Sequence, residues 1–366
     1  PDSGPDVTMD AAPDAGPPPL LLSAASRGLF VQFPGHELQA VGSNATSRLG
    51  TAGSGTSPML APVADHRAVD QVDSTYFSSC SVAGGVLHCW GGNMHGEAGH
   101  GDMAPVPTPV AVAGLPGPVT HVSVGFDSTC AVVDGGSVYC WGAGTMGQLG
   151  NGASVDSLTP VRVMSITNAV EVTVSQSWAC ARLATGSVQC WGSGWLGDGA
   201  TAGSSVPVPL RGITDARHVT IGPARGCVLR ADATVWCWGG GSLGDGTTNP
   251  AMAPVRLPAL SNVVDVQTRY FGSCALESDG TVWCWGNDTL GECGQGAASA
   301  SPRLSPLQVA GLPVVAAMTV GSVHRCIRGV DGSVWCWGTN DDGELGTGMT
   351  GPAFVATPVR ATLIVP

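Results

Sequence analysis

The sequence predicts an all-β protein, a seven-bladed β-propeller, and three features predict it. Cys-Trp-Gly recurs six times, beginning at Cys89, Cys140, Cys190, Cys237, Cys284 and Cys336. Each has a partner nine or ten positions earlier, at Cys80, Cys130, Cys180, Cys227, Cys274 and Cys326. A proline-led apolar pair then closes every unit: Pro109-Val110, Pro160-Val161, Pro207-Val208, Pro254-Val255, Pro306-Leu307 and Pro358-Val359, with Pro62-Val63 ahead of them all. A degenerate seventh copy runs from Phe30 to Gly42, with Phe30 and Ala40 in the cysteine places. From Ala40 onward the units are spaced 49, 51, 50, 47, 47 and 52 residues. A period near fifty, repeated in this way, is the signature of a radial or stacked repeat architecture.

The unit around Cys130 shows how each strand is read. His121-Val122-Ser123-Val124 alternates as a half-buried strand does. Cys130-Ala131-Val132-Val133 is a second strand, Asp134-Gly135-Gly136 turns the chain, and Ser137 to Trp141 returns. A three-residue hairpin loop wants a left-handed residue at its third place, where Gly136, Gly186, Gly280 and Gly332 stand. Ala233 breaks that rule and is expected to strain its turn or change its type. The shorter copy has Gly84-Gly85, suited to a two-residue turn. The fourth strand begins with proline, which lacks a ladder donor, so it belongs at the outer edge of each sheet. The last of these strands lies at the C-terminus, and three others lie near Leu20 to Val41. We therefore expect the two chain ends to share one blade and clasp the ring.

Residues 1–19 differ in kind. Six prolines alternate with Asp2, Asp6, Asp10 and Asp14, a composition that cannot bury enough surface to order itself. They are expected to form a tether, similar to those that hold bacterial surface proteins away from their anchor, ahead of a propeller over residues 20–366. The chain does not begin with Met, as removal of an upstream targeting segment would leave it. With 54 Gly, 5% aromatic and 11% charged residues, the composition suits short strands and tight turns. The net charge of −12 argues against a nucleic-acid partner, whose phosphates need a basic surface. No apolar run approaches the roughly 20 residues of a membrane-spanning helix.

Trp141-Gly142-Ala143-Gly144-Thr145-Met146-Gly147-Gln148-Leu149-Gly150 and Trp337-Gly338-Thr339-Asn340-Asp341-Asp342-Gly343-Glu344-Leu345-Gly346 resemble the signature of the regulator of chromosome condensation repeat family. The resemblance covers about residues 20–366 in seven copies and implies a seven-bladed propeller. It implies no single function, since the family and its look-alikes include a nucleotide-exchange factor, a plant light receptor and a secreted β-lactamase inhibitor.

Of the 13 cysteines, twelve fall into the six hairpin pairs. Facing strand positions suit bridging, so six cross-strand disulfides are expected; twelve buried thiols are the alternative. Cys293 replaces a packing leucine and is expected to be a buried thiol. Six bridges point to an oxidising compartment, hence an extracellular or cell-surface location.

Function is expected at the end of the ring that gathers the pre-cysteine segments and the glycine-rich loops. Those segments carry Tyr76, Phe77, Phe126, Trp178, Arg225, Tyr270, Phe271 and His324. Tyr, Trp and Arg make good interface anchors, and these positions vary among otherwise regular units. The competing reading is that the rings pack between blades. The expectation is a non-catalytic, monomeric protein-binding propeller without a cofactor, its ligand unidentified. The alternatives are a lyase or hydrolase at the central funnel and an inhibitor of a secreted hydrolase. Nucleotide exchange on a small GTPase is a third reading, and the expected disulfides and the acidity argue against a chromatin role. His95, Glu97, His100 and Asp102 could hold a metal, and Asn340 to Glu344 could hold calcium, but both stretches occupy the ordinary loop frame of the repeat. Gly240-Gly241-Ser242-Leu243-Gly244 spells a nucleophile motif without the strand-to-helix turn that such a serine needs.

Overall fold

A computed structural model describes residues 21–51, 53, 55–270 and 272–363. The proposed tether lies outside them. Seven four-stranded antiparallel sheets form the blades of a propeller. Blade 1 comprises Leu21–Ala24, Gly28–Gln32, Glu37–Ser43 and Thr56–Arg67. Blade 2 runs from Gln71–Ser74 to Val106–Ala111, and blade 3 comprises Val119–Val124, Ser128–Val133, Val138–Gly142 and Ser157–Arg162. Blade 4 runs from Ala169–Val174 to Ser204–Pro209, blade 5 from Ala216–Ile221 to Ala251–Arg256, blade 6 from Val263–Arg269 to Ser299–Gln308, and blade 7 from Val315–Val320 to Phe354–Arg360. In every blade the first strand lines the axis and the proline-bearing strand is outermost, where a missing donor costs no ladder bond. These strands begin three to seven residues before the proline, at Thr56, Val106, Ser157, Ser204, Ala251, Ser299 and Phe354, and not at it as expected.

The cysteines face each other in register, Cys130 opposite Cys140 and likewise in five other blades, and six disulfides close these hairpins. Phe30 pairs with Ala40 in the same position, so blade 1 keeps the frame without the bridge. Cys293 is a buried free thiol, pushed up to about 12 chiefly by burial. The hairpin turns follow the expected chemistry. Gly84 and Gly85 both have positive φ, and Ala233 has φ 62° where its counterparts are glycines. Ala233→Gly should therefore raise stability by about 1 kcal/mol, measured as an upward shift of the denaturant midpoint. A variant less stable than wild type would show that the turn holds no strain.

The shared blade is corrected. Thr56–Arg67 already completes the first sheet through Gln39 opposite Pro62, and Phe354–Arg360 pairs within blade 7 through Cys336 opposite Val359. Seven strand triplets and seven proline strands are thus in phase, and among the described residues no strand is left over to exchange. The ring closes by packing and side-chain bonds instead. Leu29, Val31 and Val41 share a core with Cys326, Cys336 and Leu345. Ala24 N donates to Thr319 Oγ1 at 2.7 Å, and Arg27 meets Asp342 at 3.0 Å.

Between blades the fully buried tryptophans are stitches as well as filler. Trp90, Trp141, Trp191, Trp238 and Trp337 each donate Nε1 to a carbonyl in the preceding blade's glycine-rich loop, at 2.8–2.9 Å. A buried indole N–H needs such a partner, which ties the recurring Trp to the recurring loop.

Candidate functional site: the loop face

Strand direction brings the first turn of each blade and its glycine-rich loop to one end of the ring. On blades 2 and 3 this end carries three rings in mutual contact. Phe77 and Phe126 meet edge-to-face at 5.0 Å, and Tyr76 lies 6.0 Å from Phe77 and 6.4 Å from Phe126. All three are half-buried. The buried Arg48 holds the cluster from below: its guanidinium sits 5.8 Å from the Tyr76 ring centre and donates to Tyr76 O at 2.9 Å. Burial lowers the Arg48 pKa, but the group keeps its charge, with the Tyr76 ring face and the Tyr76 and Arg27 carbonyls as its partners and Nε left without one among the described residues. Across the mouth stands Tyr270, half-buried at φ 46°, where a bulky side chain is strained.

Three other expected contact residues are corrected to interior roles. Trp178 is fully buried, donates to Gly222 O in the next blade at 3.0 Å, and packs on Trp238 at 6.2 Å. Arg225 is buried and donates to Ser242 O at 2.6 Å. That carbonyl is the counterpart of the ones the other seam tryptophans use; Trp285 stays buried at its seam, but its Nε1 has no hydrogen-bond partner among the described residues. His324 is fully buried at the seam between blades 7 and 1, held neutral by burial and by Arg325, with a pKa of about 3. Phe271 lies outside the described residues.

The alternative motifs are absorbed by loop structure. Glu97 accepts from the backbone N–H of His95 at 2.8 Å and of Met94 at 3.3 Å. His95 pairs with Asp156 at 3.0 Å, and His100 faces Val110 O. Glu344 accepts from Asp342 N at 2.9 Å, while Asp342 is taken by Arg27 and Thr56. Ser242 is buried beneath Arg225. Among the described residues no group of His, Cys, Asp or Glu is placed to hold a metal ion, and no helix is long and apolar enough to cross a membrane.

Sequence profiles of the Regulator of chromosome condensation (RCC1) repeat match residues 84–132 and 135–181, and a second such profile matches 119–148 and 263–295. The chain is 35% identical over 102 residues to the Xenopus laevis Protein RCC2 homolog, covering 26% of this chain and 20% of that one. It is 35% identical over 126 residues to the human E3 ubiquitin-protein ligase HERC2, covering 33% of this chain and 3% of that one. It thus spans a small part of either relative's length. The crystal structure of Prp20p from Saccharomyces cerevisiae superposes with a TM-score of 0.78 at 17% identity, over 95% of this chain and 87% of that one. Repeat signature and blade count agree with these matches, and the chain carries repeats of the Regulator of chromosome condensation (RCC1) type, matched over residues 84–181 and 263–295.

Proposed function

We propose that this is a non-catalytic, protein-binding propeller that works outside the cell and grips its partner with the loop face around Tyr76, Phe77, Phe126 and Tyr270. The observation that carries the reading is the three-ring cluster on blades 2 and 3. Aromatic rings already packed against one another lose little entropy when a partner covers their remaining edges. Blades 4, 5 and 7 turn their equivalents inward, so the face is one-sided. The six disulfides support an oxidising location. The net charge of −12 favours a partner with a basic surface over nucleic acid. Prp20p, whose reported structure includes its binding to Gsp1p and histones, is a propeller of this shape that binds proteins.

The test is affinity capture with the intact chain, identification of the bound protein, and measurement of its affinity for the double variant Tyr76→Ala, Phe126→Ala. Affinity should fall at least about tenfold while the thermal midpoint holds. Undiminished affinity would remove this face from consideration.

A further inference from the structure

The glycine-rich loops of blades 2 and 3 add an exposed apolar surface to the three-ring cluster. Met94, Met103, Met146 and Val155 are 72%, 60%, 56% and 62% exposed. The corresponding loops of blades 4, 5 and 6 expose no large apolar side chain among the described residues. Single exposed apolar residues are ordinary, but several gathered at one place mark a surface that another molecule covers.

Hydrogen bonds gather these four. The loop of blade 2 leaves the cluster where Gly92 N donates to Phe77 O at 2.8 Å. Asn93 Nδ2 then donates to Asp102 O at 2.9 Å and to Ala104 O at 3.0 Å, the two residues that flank Met103, which brings Met103 back to the start of the loop beside Met94. The loop of blade 3 leaves where Ala143 N donates to Asp127 O at 2.8 Å. Gly144 N donates to Asp156 Oδ1 at 2.9 Å, which returns Val155 to the segment that carries Met146. His95 Nδ1 of the first loop meets Asp156 Oδ2 of the second at 3.0 Å, so the two loops present one surface.

That surface is acidic. Between Arg67 and Arg162 the chain has no Arg, and it has no Lys anywhere. Asp127 follows Phe126 directly, is half-buried, and makes neither an ion pair nor a side-chain hydrogen bond among the described residues. Burial raises its pKa; His95 opposes that and Asp156 adds to it. Asp102 is exposed and bonds only within its own loop, to Ala104 N at 3.0 Å and Asn93 Nδ2 at 3.4 Å. The guanidiniums that approach the rings are engaged: Arg48 lies buried beneath Tyr76, Arg27 pairs with Asp342, and Arg269 pairs with Asp73.

We propose that the loop face of blades 2 and 3 receives a basic amphipathic α-helix of a partner protein, its apolar stripe on Phe77, Phe126, Met94 and Met146 and its Lys or Arg side chains against Asp127 and Asp102. This rests on the loop-face reading above and names the element that the face grips. A helix about 10 Å across, with cations flanking one apolar stripe, presents both chemistries in a single element. The packed rings fix where the stripe sits, and the unbranched methionine side chains adapt to its contours. A helix without cations would cover Asp127 and leave its charge unpaired, at a cost in affinity.

The test is a titration of the intact chain, read by fluorescence anisotropy, into a labelled peptide of Leu and Lys about 14 residues long in helical amphipathic order. Two counterparts share its length. One has the same residues in strict alternation, a strand pattern at equal charge, and the other has Glu in place of Lys. The helical Lys peptide is expected to bind at a Kd of about 10 μM or tighter, and either counterpart at least about tenfold more weakly. Met94→Ser combined with Met146→Ser, both exposed and thus tolerated by the fold, should weaken binding at least about fivefold, and Asp127→Asn by about as much. No binding, equal affinity for either counterpart, or affinity unmoved by the methionine pair or by Asp127→Asn would each overturn the proposal. The loop-face reading fails on a different result, a captured partner indifferent to Tyr76→Ala, Phe126→Ala.

Discussion

Reduction of the six disulfides should unfold the propeller. Each bridge closes a hairpin whose cysteines are nine or ten residues apart, and on chain-entropy grounds contributes about 2.5 kcal/mol. Six of them amount to about 15 kcal/mol, the upper end of what holds a whole domain together. All twelve half-cystines are essentially fully buried, so reductant reaches them only when blades open. The experiment is therefore denaturation in reductant, followed by refolding with reductant retained. The reduced chain is expected to lack the cooperative thermal transition of the oxidised one. Alkylation in denaturant should modify one thiol, that of Cys293, before reduction and 13 after it. A reduced chain that melts within about 5 °C of the oxidised one would mean that tryptophan seams, not bridges, carry the stability.

The repeat frame was legible in the sequence because its constraints are local. Turn length, the left-handed place in each hairpin and the donor-free outer strand all follow from residues within a few positions of each other. Closure was not, because it depends on which sheet claims a strand. Pro62-Val63 and Pro358-Val359 look alike, and only the pairing of Pro62 with Gln39 and of Val359 with Cys336 assigns their strands. Seven triplets followed by seven proline strands would have given the answer by phase alone.

The candidate site divides the same way. Aromatic enrichment before the first cysteine was visible, but whether a ring turns outward depends on the next blade. Trp178 turns in because Gly222 O awaits it, and Arg225 because Ser242 O does. The ionisable residues His121, Glu171 and His218 that line the axial channel were missed, although their signal was present. Aligned on the half-cystines, the first strands read Gln71, His121, Glu171, His218 and Asp265 at a position where a purely structural strand has no call for charge. Arg269 among Ala, Thr, Ser and Gly was equally visible as the single large residue in a column of small ones.

Acid should open the ring at blade 1 before it unfolds the other six. That blade alone lacks a disulfide, and each of its two seams contains a buried neutral histidine. His324 stands at the seam with blade 7. His66 stands at the seam with blade 2, hydrogen-bonded to Ser81 and 5.6 Å from the Trp90 ring. Its place is that of Ile166 and Ile213 in later blades, an apolar core position. Burial first, then the neighbouring His88, pushes His66 down to about 4. For a histidine depressed on folding, the two states are equally neutral above about pH 6.5. Below that the unfolded chain takes up the proton and the folded chain does not, so stability falls with pH at about 1.4 kcal/mol per unit and per histidine. His66 and His324 together remove about 5 kcal/mol between pH 6.5 and pH 4, after allowance for screening at His66. His218, raised by Glu171 against the effect of burial, has its full contribution in place by pH 6.5 and offsets nothing below it. The buried carboxyls Glu97 and Glu344, raised by burial, work the other way near the foot of the window. Hydrogen exchange at pH 4.5 should therefore show the strands of blade 1 losing protection first. His66→Leu, which restores the residue type of the later blades, should flatten the slope of stability against pH by about 1 kcal/mol per unit. A slope unchanged in His66→Leu, or protection lost evenly around the ring, would place the acid sensitivity elsewhere.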